Sequence, residues 1–119
     1  MADILNLGEE YIRISQQVYG QIEYSISKGR TWKMRYKGSY QIGEFKDLLD
    51  LGSVVLAITE RGIFCSSDNG FTWIKRFTPN AFTGDFIKFN FNGVQLSAET
   101  TKGIRYSPDE GRRWEKNPR

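Results

Sequence analysis

Histidine is absent from this chain, cysteine occurs once and proline three times in 119 residues. Without histidine there is no Ser-His or Cys-His catalytic pair, and the commonest zinc ligand is missing. A lone Cys65 cannot close an internal disulfide, and in the strand-like run Ile63-Phe64-Cys65 it reads as a small buried side chain. The acidic residues show no calcium-loop spacing, and no glycine-rich loop leads into a helix, so neither a metal nor a nucleotide cofactor is expected. No apolar run approaches the roughly 20 residues of a membrane-spanning helix. The start, Met1-Ala2-Asp3-Ile4-Leu5, lacks the basic and long apolar stretches of a signal peptide, which makes the cytoplasm the default expectation. The excess of 17 basic over 14 acidic residues, a net charge of +3, is too mild to point to an acidic partner.

Against these absences stands a repeat. Trp32, Trp73 and Trp114 are spaced 41 residues apart, and residues 33–73 lie over 74–114 without a gap at 12 identical positions. Gly43/Gly84, Phe45/Phe86, Gly52/Gly93, Gly62/Gly103 and Ile63/Ile104 are among them. The first copy fits when Gly8 is set on Gly52, with about three extra residues near Gln16-Gln17-Val18. Each copy reads as four short β-branched or aromatic runs parted by glycine-bearing turns. The expected strands are 3–6, 10–15, 21–26 and 30–36, then 45–49, 54–59, 63–67 and 71–77, then 86–90, 94–100, 104–108 and 112–116. No segment carries a sustained 3.6-residue apolar period; a helical turn or two is conceivable only around Glu44–Leu49. Four strands per 41 residues, repeated, is the pattern of propeller blades, here about 2–36, 43–77 and 84–117 of one repeat domain spanning 1–119.

Between the third and fourth strands the copies read Ser25-Ile26-Ser27-Lys28-Gly29-Arg30-Thr31-Trp32, Ser66-Ser67-Asp68-Asn69-Gly70-Phe71-Thr72-Trp73 and Ser107-Pro108-Asp109-Glu110-Gly111-Arg112-Arg113-Trp114. A short acidic side chain heading a tight turn accepts backbone N–H groups further on, and glycine two residues later takes a positive φ. These octapeptides resemble the Asp-box, or bacterial neuraminidase repeat, of sialidases, sortilin-type receptors, xyloglucan-degrading hydrolases and a photosystem assembly factor. The resemblance implies a β-propeller in which the boxes are structural and the tryptophan ring lies between blades. The structural positions are Ser25, Ser27, Gly29, Thr31 and Trp32, then Ser66, Asp68, Gly70, Thr72 and Trp73, then Ser107, Asp109, Gly111 and Trp114. Ser27 in place of aspartate is expected to weaken the first turn, and Arg113 in place of threonine to remove a hydroxyl from the third.

Sialidases surround the propeller axis with an arginine cluster, an acid and a tyrosine with its glutamate partner, and carry an Arg-Ile-Pro signature. Here the nearest string is Tyr11-Ile12-Arg13-Ile14. No paired carboxylates recur at a spacing that would fix a glycosidase site. No catalytic residue is therefore assigned, and a reduced sialidase-like hydrolase with a site at the central channel is the alternative to a non-catalytic binding or assembly module. Ligand-binding candidates are Arg13, the loop aromatics Tyr19, Tyr40 and Phe82, and Glu99, which replaces Ile58 of the middle copy and either reaches solvent or pairs with Arg105. Glycan or protein is the expected ligand. The basic stretch Lys28, Arg30, Lys33, Arg35 and Lys37 is read as a solvated rim that discourages edge pairing rather than as a nucleic-acid site, and the recurrence of Arg35 as Arg76 as architecture. Three blades at 60° sweep half a ring, and a blade's flat sides need covering. The expected partner is thus a second copy, making a six-bladed homodimer.

Overall fold

The computed structural model describes residues 4–118; the expected strand position at Asp3 lies outside them. Among the described residues eleven strands form three antiparallel sheets in simple up-and-down order. The first contains β1 (Leu5–Asn6), β2 (Tyr11–Ile14), β3 (Ile22–Ser25) and β4 (Lys33–Tyr36). The second contains β5 (Phe45–Asp50), β6 (Val55–Thr59), β7 (Gly62–Ser66) and β8 (Ile74–Phe77), and the third β9 (Phe86–Phe91), β10 (Leu96–Thr100) and β11 (Gly103–Ser107). No helix occurs among the described residues, and the ambiguous stretch Glu44–Leu49 belongs to β5, whose Phe45, Asp47 and Leu48 are buried.

Two expectations need correction. The outer strands start three residues later than expected, at Lys33 and Ile74, because the octapeptide curls through positive φ at Lys28-Gly29 and Asn69-Gly70 before the chain can extend. In the third copy the outer strand shrinks to a single bridge between Tyr106 and Glu115. Pro118 falls where a ladder N–H would be required, and proline has none.

The hydrophobic core lies between the sheets as two seams. Ile12 and Ile22 of the first sheet meet Phe45, Leu48, Val55, Ala57, Phe64 and Trp73 of the second. Leu56, Ile58, Ile63 and Cys65 of the second meet Phe86, Phe89, Leu96, Ala98 and Trp114 of the third. Strand β6 explains how one sheet serves two seams. Its side chains alternate, Val55 and Ala57 toward one neighbour and Leu56 and Ile58 toward the other, and all are buried. The seams are aromatic at heart, with Phe45–Trp73 ring centroids 5.2 Å apart and Phe86–Trp114 4.9 Å apart. Asp47 adds a polar tie: its carboxylate accepts the backbone N–H of Phe89, 2.8 Å away on the neighbouring sheet.

Candidate functional site

The three octapeptide turns share one hydrogen-bond plan. The serine hydroxyl oxygen accepts the glycine N–H at 2.8, 2.8 and 2.7 Å, and the tryptophan Nε1–H donates to the carbonyl of that same glycine at 3.0 Å in each copy. Asp68 Oδ1 accepts the Thr72 N–H at 2.9 Å while Oδ2 accepts the Thr72 hydroxyl at 2.6 Å. Ser27 manages the same with one oxygen, which accepts the Thr31 N–H and lies 2.9 Å from the Thr31 hydroxyl. In the third turn the threonine hydroxyl is lost as expected, and another donor makes up for it. Arg113 Nε donates to Asp109 Oδ2 at 3.0 Å, standing in for the missing threonine hydroxyl. Partial burial raises the pKa of Asp68 and Asp109, but hydrogen bonds from Thr72 and Ser66, and from Arg113 and Ser107, outweigh it and leave both below the usual aspartate range.

The glycines of the second and third turns bring one sheet against the next, whereas Gly29 of the first meets only Trp32 and Tyr11 of its own copy. A Cβ on Gly70 would lie 3.5 Å from Ile22 Cγ2, and one on Gly111 3.3 Å from Ile63 Cγ2. An arginine latches the approach from the facing sheet. Arg35 Nη1 donates to the Asn69 carbonyl and Arg76 Nη1 to the Glu110 carbonyl, at 3.1 and 2.7 Å. Arg35 is not part of a solvated rim: its side chain is 3% exposed, sandwiched between the Tyr24 and Phe71 rings and bonded through both Nη atoms to Glu10. The guanidinium hydrogen bond holds the Glu10 carboxyl below the ordinary glutamate range despite partial burial.

At the opposite ends of the sheets, the first and second copies enclose an open cleft of about 310 Å³ lined by Tyr19, Lys37, Tyr40, Glu60 and Arg61. Tyr19 reaches it because the loop Ser15–Gly20 is longer than the two-residue hairpins Glu60-Arg61 and Thr101-Lys102 of the other copies. Ser15 Oγ holds that loop by accepting the N–H groups of Gln17 and Val18. Tyr40 is thrown outward by a turn that Ser39 caps and buried Ile42 anchors. The two rings are 70% and 82% exposed. The Arg61 guanidinium lies 4.2 Å from the Tyr40 ring, and its Nε donates to the Tyr40 carbonyl at 2.7 Å. Tyr19 donates its hydroxyl to Glu44 at 3.0 Å, and this bond to the carboxylate raises the phenol pKa.

The remaining candidates lie elsewhere. Phe82 occupies the next loop, under the buried Arg105 guanidinium, which donates to its carbonyl at 2.9 Å. Arg13 pairs with Glu23 at 2.8 Å and stacks 4.1 Å from the Trp32 ring on the outer flank of the first sheet. Glu99 is exposed on the outer flank of the third sheet and pairs with Lys88 at 3.2 Å rather than with Arg105. Among the described residues no group of acids and cysteines is placed to hold a metal ion. The cleft's Lys37, Glu60 and Arg61 do not stand out as ligand contacts in the sequence. The three-residue insertion in the first copy was the available signal.

Neither the family models nor the curated proteins include a match to this chain. Among solved structures the fold is similar to a chain of "YCF48 bound to D1 peptide", with a TM-score of 0.71 at 18% identity. That similarity covers 96% of this chain and 40% of the other, so the present sheets span about two fifths of that chain's length. YCF48 is a β-propeller, and the three sheets are a propeller-like arrangement of blades.

Proposed function

We propose that this chain is a non-catalytic binding module of the Asp-box type, half of a six-bladed propeller completed by a second copy, with carbohydrate as the ligand of the Tyr19–Tyr40 cleft. One observation carries the ligand reading: two strongly exposed tyrosines converge on a single open cleft rimmed by Lys37, Glu60 and Arg61. Aromatic faces stack on the apolar face of a sugar ring, while flanking carboxylate, ammonium and guanidinium groups bond its hydroxyls. Similarity to a propeller bound to a peptide makes protein the competing ligand class.

Ring completion is supported by the two bare flanks. Ile22 and Ile63 are fully buried by the next blade's glycine turn, whereas the equivalent Ile104 is covered by no glycine turn among the described residues and is 43% exposed.

One feature favours a hydrolase instead. The Tyr19–Glu44 hydrogen bond has the residue types of a sialidase tyrosine–glutamate pair. Its electrostatics run the other way, because the carboxylate raises the phenol pKa and so withholds the phenolate. The neighbouring Arg61 is tied to the Tyr40 carbonyl. A glycan array followed by calorimetry tests the binding reading: Tyr40→Ala is expected to abolish hits that the parent protein gives. Turnover of chromogenic sialosides or glycosides that Tyr19→Phe removes would replace this reading with the enzyme, and capture of peptides alone would replace the sugar with protein.

A further inference from the structure

The two covered seams contain a lock that recurs, and the bare flank of the third blade holds its third, altered copy. In the first seam the turn residues Asn69 and Phe71 enter a groove made by Glu10, Tyr24 and Arg35. Asn69 Nδ2 donates to Glu10 at 3.0 Å, and the Arg35 guanidinium lies 4.0 Å from the Phe71 ring. In the second seam Glu110 enters beside Arg76, which donates to its carbonyl and lies 3.7 Å from its carboxylate. The same positions on the third blade are Gln95, Tyr106 and Asn117, and with Glu115 they line an open groove of about 260 Å³.

The matching turn is the first one, Lys28-Gly29-Arg30, which no other sheet meets among the described residues. Charge changes sides between the two locations. Where the groove offers an arginine, the turn brings asparagine and phenylalanine, or glutamate with an arginine. Where the groove has Asn117 and Glu115, the turn brings Lys28 and Arg30. An arginine kept at position 117 would have faced Arg30. Groove and turn are both open to solvent among the described residues and suit one another, which points to a second copy of this chain as the occupant.

Resting on the two-chain ring proposed above, we propose that the Lys28-Gly29-Arg30 turn of each copy docks in the Gln95, Tyr106, Glu115 and Asn117 groove of the other. Gly29 lies against Ile104 as Gly70 lies against Ile22, and the Arg30 guanidinium lies over Tyr106. The arginine–aromatic contact of the first seam is thereby remade with its partners exchanged.

Two single-cysteine chains test this, Arg30→Cys and Asn117→Cys, each in a Cys65→Ala background, with masses measured before a short bis-maleimide is added. Cross-linked dimers are expected from the mixture and from neither variant alone, because residues 30 and 117 meet only between copies. A dimeric mass with links in Arg30→Cys alone, or with none in the mixture, would overturn the seam while leaving dimerisation standing. A monomeric mass for the parent protein would remove the ring itself and this seam with it. Independently, Arg30→Glu is expected to weaken dimerisation at least about tenfold. Lys102→Glu, on the exposed hairpin at the far end, should leave it unchanged, and equal effects of the two would contradict the docking.

Discussion

The covered seams and the bare flanks are built on one template and filled differently. Where the middle blade turns Leu56 and Ile58 toward its neighbour, the third blade has Ser97 and Glu99. Where it turns Ala57 and Phe64 the other way, the first blade has Arg13 and Glu23. The Arg13–Glu23 ion pair takes the place of the apolar Ala57–Phe64 contact, and Lys88–Glu99 that of Asp47 and Ile58. Terminal units of repeat arrays need polar outer faces to stay soluble before they meet a neighbour. The difference therefore separates two kinds of face: the seams join the sheets through apolar packing, and the flanks carry ion pairs while retaining the geometry of a seam in Ile104 and the first turn.

The largest effect that sharpens this contrast should come from the tryptophans. Trp73→Ala empties a packed seam and is expected to cost about 3–5 kcal/mol in urea unfolding, whereas Trp32→Ala, on a half-buried ring under Arg13, should cost about 1 kcal/mol. Equal losses would erase the distinction between seam and flank. Next come the latches. Arg35→Met leaves the Glu10 carboxylate with only the Asn69 amide, and because Glu10 is partly exposed the expected cost is about 2 kcal/mol. Arg76→Met mainly releases a backbone carbonyl and should cost about 1 kcal/mol. A smaller change distinguishes the turns: Asp68→Ser is expected to lose about 1 kcal/mol and Ser27→Asp to gain a few tenths.

The pH profile gives the mildest test. Glu10, Asp68 and Asp109 have folded pKa values below their unfolded ones. Their contribution is complete above the unfolded values, near pH 4, and drains away as pH falls through the lower folded ones. Acid titration of thermal unfolding should show stability falling below about pH 4, less steeply in Asp68→Ser. A profile unchanged by that substitution would mean that Asp68 carries no such linkage.

Much of this architecture was legible because it is repeated locally. Trp32, Trp73 and Trp114 mark the period, and the serine–glycine–tryptophan spacing dictates a turn whose bonds close within eight residues. What was not legible depends on contacts between copies. The recurrence of Arg35 as Arg76 marks it as architectural, but its place among five cations reads as solvated rim, and it is buried because Phe71, 36 positions on, folds over it. Glu99 looks like a partner for Arg105, but side chains alternate across β10 and β11, and Lys88 shares its face. Arg113 forfeits the threonine hydroxyl, as its residue type says, but that type does not tell that the longer side chain curls back to donate to Asp109. The cleft joins loops 15–20, 37–43 and 60–61, whose convergence follows only from stacking two blades.

Solution mass by light scattering at micromolar concentration bears most directly on the half-ring. Two chains closing on each other give about 27.6 kDa, twice the 13.8 kDa of one chain. A stable 13.8 kDa particle would mean that Ile104 and the first turn face water in the native protein.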